Sequence, residues 1–315
     1  LQAMDGNSRN RAIRLPNFLI VGAAKCGTTS LYNYLRQHPE VYGPHNKEPY
    51  FFISPVIERL NPDDPMYRGV RKRTKFTLDH YLNLFKRGAG KKAIGEASAL
   101  YLYHYDVAIP RIREYLEEVK IIIVLRNPVE RAFSAYTHLV RDGIESLPFE
   151  RCLEMEEKRI RENWFPLHFF KELGFYYRQV KAYLENFRDI RVYLYDDFKK
   201  HTLDTVKDVY AFLGVDPSFT PDVSIKYNPS GIPRSAIIHR FLSNYDHPLK
   251  RILRPLFVRV IGKERTGDLA NYYKNKNLKA ISMKPETRGY LIELYRGDVL
   301  MLQDLIKRDL SSWLK

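Results

Sequence analysis

Three short stretches of this 315-residue chain carry residue types and spacings that could do chemistry. The first is GAAKCGTTS, residues 22–30, lying between an apolar run and an amphipathic one. Gly22 and Gly27 are spaced like the two glycines of a nucleotide phosphate loop, yet Thr28 stands where that motif has its lysine. The lysine is inside the loop instead, at Lys25. Small residues let backbone N–H groups converge, and the helix that follows presents its positive end, so the loop suits an anion. Lys25 adds a point charge, and Thr28 and Thr29 add hydroxyl donors. With no lysine placed to span β- and γ-phosphates, one terminal 5′-phosphate fits better than a triphosphate. A tight strand–helix turn that binds nothing is the competing explanation.

The second stretch is LRNPVERAFSAYTH, residues 125–138. Arg126 emerges where a buried strand ends, and Ser134 lies about two turns into the next helix. A guanidinium can donate two parallel hydrogen bonds, so Arg plus hydroxyl suits a second phosphate. A merely capped helix has the same local pattern. The third stretch is HNKEPYFF, residues 45–52, in which Glu48 precedes three aromatics. Those rings read first as core. An acid beside them could also be desolvated and tuned as a base.

Positioning these groups requires an α/β scaffold. Short apolar runs alternate with amphipathic stretches, which predicts a central, largely parallel sheet flanked by helices. Strands are expected over 17–22, 92–98, 121–125 and 190–195. Helices are expected over 28–37, 105–119 with Pro110 inside, 128–141, 172–187, 203–213 ended by Gly214, and 286–310. Residues 60–77, rich in Pro, Asp and Arg, read as a surface loop. Residues 1–16 form a polar tail ahead of a single domain over 17–315. That domain comprises a nucleotide-binding core over 17–222 and a mostly helical, basic segment over 223–315.

Composition narrows the function classes. Fifty-two Lys and Arg against 37 Asp and Glu give a net charge of +15, which favours an anionic partner. Residues 223–315 hold 18 Lys and Arg against 8 Asp and Glu, with Arg251, Arg254, Arg259, Lys263 and Arg265 clustered there. Nucleic acid is disfavoured, because no helix-turn-helix, zinc-finger or RNA-binding aromatic motif occurs. No apolar run approaches the ~20 residues of a membrane span. Two cysteines, Cys26 and Cys152, make neither a disulfide framework nor a zinc site, and no metal is expected. With no apolar leader visible, a reducing, cytoplasmic setting is expected. The opening LQAMDGN suggests a piece of a longer polypeptide.

Taken together, the stretches 17–39, 47–52, 95–103, 124–138 and 173–187 resemble the sulfotransferases that use 3′-phosphoadenosine 5′-phosphosulfate (PAPS). The likeness is to the heparan-sulfate-type branch and its bacterial relatives. It implies a P-loop-like PAPS-binding fold, no metal, and adenosine 3′,5′-bisphosphate (PAP) as product. It assigns the loop Lys25, Cys26, Gly27, Thr28, Thr29 and Ser30 to the 5′-phosphosulfate, and Arg126 with Ser134 to the 3′-phosphate. Glu48 matches the proposed catalytic base, Lys25 would stabilise the leaving phosphate, and His138 matches a histidine near the acceptor. Gly231 and Arg234, in YNPSGIPR (227–234), fall where the family closes a loop over the 3′-phosphate. Ala97 stands where glycosaminoglycan enzymes often have lysine. The bacterial branch includes domains of polyketide synthases, which implies as acceptor the β-hydroxyl of an acyl chain on an acidic carrier protein. A glycan or other hydroxyl or amine is the alternative. Two rivals are a P-loop nucleotide kinase, which would need magnesium and ATP, and a non-catalytic basic binding module, which has no use for Glu48.

Overall fold

The structure is a computed structural model and describes residues 15–224, 231–234, 278–279 and 281–315. Its centre is a five-stranded parallel sheet of order β2-β3-β1-β4-β5. The strands are β1 (Phe18–Gly22), β2 (Val41–Tyr42), β3 (Ala93–Glu96), β4 (Lys120–Leu125) and β5 (Ile190–Leu194). β1 is buried along its whole length, and β4 along all but its first residue. Side chains of both strands therefore face covering layers on either side, as continuous apolar runs in parallel sheets do.

The helices are α1 (Thr28–Leu35), α2 (Ser54–Glu58), α3 (Tyr67–Arg73), α4 (Leu78–Leu82), α5 (Tyr105–Tyr115), α6 (Pro128–Arg141), α7 (Phe149–Arg161), α8 (Tyr176–Asn186), α9 (Tyr195–Lys200) and α10 (Thr202–Leu213), with a C-terminal helix over Pro285–Ile306. A short antiparallel pair, Ile232–Pro233 with Leu278–Lys279, lies apart from the main sheet. Among the described residues no helix is long and apolar enough to cross a membrane.

Several expected boundaries move. Residues 60–77 are not simply a loop. They contain α3, anchored by the buried Val70, and Asp64 is buried as well. The run of Arg and Lys around Val70 hid that single apolar anchor. The 105–119 helix ends at Tyr115, because Leu116 turns extended to enter the sheet. The 172–187 helix is a 3-10 turn at Glu172–Gly174 followed by α8. The final helix stops at Ile306, where Lys307 takes a left-handed φ of 51°. Helix α7 was not anticipated. The basic cluster at 251–265 lies outside the described residues.

β1 has β3 on one side and β4 on the other, so the chain leaves it in opposite directions. At such a switch point the loops beyond the carboxyl ends of the strands part and leave a crevice. The GAAKCGTTS loop follows β1, Arg126 follows β4, and the segment after β3 pairs with the HNKEPYFF stretch through Ala97 N–H to Lys47 O at 3.1 Å.

Candidate active site

One cleft above the sheet is lined by Lys25, Gly27, Thr28, Thr29 and Ser30 from the loop, and by Arg126, Ser134 and His138 around α6. Lys47, Glu48 and Tyr50 line it from the facing segment. Nine of the twelve candidate site residues are thus brought to one place, Cys26, Gly231 and Arg234 being the exceptions.

The loop is shaped by left-handed residues at Lys25 (φ 70°) and Gly27 (φ 89°). Any side chain at Gly27 would meet the Tyr195 ring, 2.9 Å from the added carbon, so close packing as well as backbone angle requires glycine. Gly27 is also the N-cap of α1 and supplies no side chain to its first amides. Those N–H groups have no partner within the helix, and no acidic residue occupies the first turn. An anion is the natural complement.

Burial, and then the Arg141 charge, lower the Lys25 amine to about 7, with Asp142 and Glu48 partly opposing. An arriving anion would restore the full charge. Arg126 is 18% exposed, donates to the Lys25 carbonyl at 3.5 Å, and lies 4.8 Å from the Tyr195 ring centroid. Its turn is fixed by Asn127, whose Oδ1 accepts from the amides of Val129 and Glu130. Asn127 Nδ2 donates to the Trp313 carbonyl near the chain end. Ser134 is buried on the cleft side of α6.

Glu48 is not tuned upward by apolar rings. Phe51 and Phe52 face the core, where Phe51 stacks on Tyr81 at 4.5 Å. Burial alone would raise the Glu48 carboxyl, but the Lys47 and Arg73 charges and the Tyr50 hydroxyl more than offset it and hold it below its ordinary value. Tyr50 donates to Oε2 at 2.7 Å, Lys47 Nζ to Oε1 at 3.3 Å, and Arg73 Nη1 is 4.0 Å from Oε2. Lys47 Nζ also donates to Thr28 Oγ1 at 3.3 Å, linking the carboxylate to the anion loop. At neutral pH Glu48 is therefore ionised and able to accept a proton.

His138 is pushed down to about 3 by burial and then by the Lys25 charge, so its ring is neutral. Arg141 Nη2 is 2.6 Å from Nδ1. A guanidinium only donates, so Nδ1 accepts and the ring proton sits on Nε2. His138 is thus a hydrogen-bond donor toward the cleft rather than a base.

The remaining expectations separate. Cys26 is fully buried and its sulfur faces inward, 3.6 Å from the Tyr176 hydroxyl, so its side chain does not meet the cleft. Gly231 is buried at a φ of 146°, Arg234 is exposed, and neither lines the cleft. Lys47, Tyr50, Arg73 and Tyr195 were missed. The first two were in plain view inside KEPYFF. Arg73 and Tyr195 come from distant elements and have no local signature. Among the described residues no group of three His, Cys, Asp or Glu side chains could hold a metal ion.

The sequence model described as "Sulfotransferase family" matches residues 16–221. The crystal structure of a sulfotransferase from Alicyclobacillus acidocaldarius superposes with a TM-score of 0.74 at 37% identity, over 96% of this chain and all of that one. The membrane-associated sulfotransferase kil1 of Dictyostelium discoideum is 34% identical over 122 residues, 39% of this chain and 22% of that protein. The mouse bifunctional heparan sulfate N-deacetylase/N-sulfotransferase 4 is 23% identical over 315 residues, 96% of this chain and 31% of that protein. This chain spans less than a third of the length of these two curated relatives. The matched segment contains the anion loop, Glu48, Arg126 and His138, and the chain belongs to the sulfotransferase family.

Proposed function

We propose that the chain transfers a sulfuryl group from PAPS to an acceptor hydroxyl, with Glu48 as general base. The observation that carries this is the meeting, in one cleft, of the uncapped α1 amides, the buried Lys25, Arg126 and an ionised carboxylate. PAPS is a substrate consumed at each turnover and supplies the activated sulfur. The 25–30 loop would hold its 5′-phosphosulfate, and Arg126 with Ser134 its 3′-phosphate. Gly231 and Arg234 are retained only as candidates for closing over the latter.

Each side chain then has a defined task. Glu48 takes the acceptor proton while the acceptor oxygen bonds sulfur. The electron pair of the broken S–O bond leaves on the 5′-phosphate, where Lys25 and the α1 amides take up the charge. His138 donates from Nε2 and orients the acceptor or a sulfuryl oxygen. A base of this kind contributes typically 10²–10⁴-fold.

The name of the heparan sulfate relative favours a glycan acceptor. A carrier-protein-bound hydroxyacyl chain rests on the sequence resemblance and the basic segment after residue 222.

The test uses [35S]PAPS with two acceptors, a desulfated glycosaminoglycan oligosaccharide and a β-hydroxyacyl carrier protein. Calorimetry with PAP, and with ATP plus magnesium, runs alongside. Expected are PAP binding without magnesium, label transfer to the oligosaccharide, and a Glu48→Gln variant that keeps PAP affinity but turns over roughly 10²–10⁴-fold slower. Preference for ATP and magnesium would replace the proposal with a kinase. Transfer only to the carrier protein would keep the chemistry and change the acceptor. An unaffected Glu48→Gln would remove the base.

A further inference from the structure

Behind the cleft, at the end of β3, lies a carboxyl group that the mechanism leaves unused. Glu96 is completely buried. Its Oε1 accepts from the Tyr101 hydroxyl at 2.7 Å and from the Tyr81 hydroxyl at 3.4 Å. The Ser98 hydroxyl also bears on it. Burial raises this carboxyl to about 8, so at neutral pH it is an uncharged acid in the core.

Two of these hydroxyls also reach toward the active site. Ser98 Oγ accepts the Tyr50 amide at 3.3 Å, and the Tyr101 hydroxyl accepts the Phe52 amide at 3.4 Å. These amides belong to the bend that ends the Lys47–Glu48 segment, where Tyr50 has a left-handed φ of 49°. A non-glycine residue holds such an angle only when its surroundings impose it. The far end of the same residue, the Tyr50 hydroxyl, donates to Glu48 Oε2 at 2.7 Å.

We infer that Glu96 is the positioning residue for Glu48, acting through Ser98 and Tyr101 to fix the bend at Tyr50 that aims its hydroxyl at the Glu48 carboxylate. The consequence for turnover rests on the reading of Glu48 as the base; the positional link itself does not. A neutral acid is the appropriate group here. It accepts both tyrosine hydroxyls through Oε1 and places no second negative charge behind the ionised Glu48. A misplaced base loses rate steeply, since errors near 1 Å cost on the order of 10²-fold.

The test reads the Glu48 titration by 13C NMR in the intact protein, together with PAP affinity, in Glu96→Leu, Glu96→Gln and Ser98→Ala. Glu96 is neutral where Glu48 titrates, so removing it takes no charge away from Glu48. In Glu96→Leu the Glu48 pKa is expected to rise by about one pH unit, the size of one lost hydrogen bond to a charged group. PAP affinity should stay within about twofold, because the anion loop is untouched. Glu96→Gln, which keeps the shape and the accepting oxygen, should leave the titration in place. Should Glu96→Leu fail to fold, Ser98→Ala leaves the carboxyl buried and should still raise Glu48. A Glu48 pKa unmoved by both Leu and Ala variants, or moved as far by Gln as by Leu, would overturn the inference. Failure of Glu48 as base would appear separately, as normal turnover in Glu48→Gln.

Discussion

Lys25 illustrates how little a residue's type says about its charge. An exposed lysine is a permanent cation, whereas burial and the neighbouring Arg141 bring this one to about 7. A bound phosphate favours the protonated form, so its pKa in the complex lies above that of the free protein. Binding is therefore strongest below about pH 7 and weakens as pH rises toward the pKa of the complex. Near pH 8 each PAP bound should draw up to one proton from solution. Calorimetry in HEPES and in Tris, whose ionisation enthalpies differ, measures that uptake directly. Identical heats in the two buffers would mean that Lys25 is already charged when the cleft is empty. His138 contributes nothing to this pH range, being neutral well below it.

Elements place these residues, and the turn between β4 and α6 does so with one side chain. Asn127 caps α6 through Oδ1 and holds the Trp313 carbonyl through Nδ2, directly after Arg126. Asn127→Ala should cost about 1 kcal/mol in urea denaturation, the usual loss for an N-cap. It should also weaken PAP binding, because Arg126 loses its fixed turn. Asn127→Asp keeps the accepting oxygen and should retain most of the stability. Equal stability losses in the two variants would show that the contact with Trp313, not the cap, holds the turn. This element was legible beforehand because strand, Arg, Asn and Pro are contiguous. So was the loop after β1, whose glycine spacing and apolar flank are local facts. The environment of Glu48 was not legible: the sequence showed an acid before aromatics, and the aromatics turned inward. Its charge is held by Lys47 beside it and by Arg73, which is delivered by a helix that the Arg- and Lys-rich run concealed. Periodicity finds helices with several buried positions, and α3 buries only Val70.

At the scale of the molecule, distant parts of the chain converge on the cleft's cations. Arg288 of the C-terminal helix pairs with Glu130 at 2.5 Å, and Glu130 lies 3.9 Å from Arg126. Without Arg288, Glu130 would offset more of the charge that Arg126 offers a phosphate. The chain as a whole carries +15. A basic protein with a narrow, partly buried cleft focuses its field there and draws anions in faster than diffusion alone. Screening removes that advantage at distances beyond about 8 Å at physiological salt, while contacts inside the cleft are screened much less. Raising KCl from 20 to 200 mM should therefore slow PAP association on the order of tenfold, within the range of known steering effects. Dissociation should change much less, because Lys25 and Arg126 act at contact distance. Stopped-flow binding separates the two rates. A salt-independent association rate would mean that the net positive charge does not steer PAP to the cleft, and that capture depends on the local loop alone.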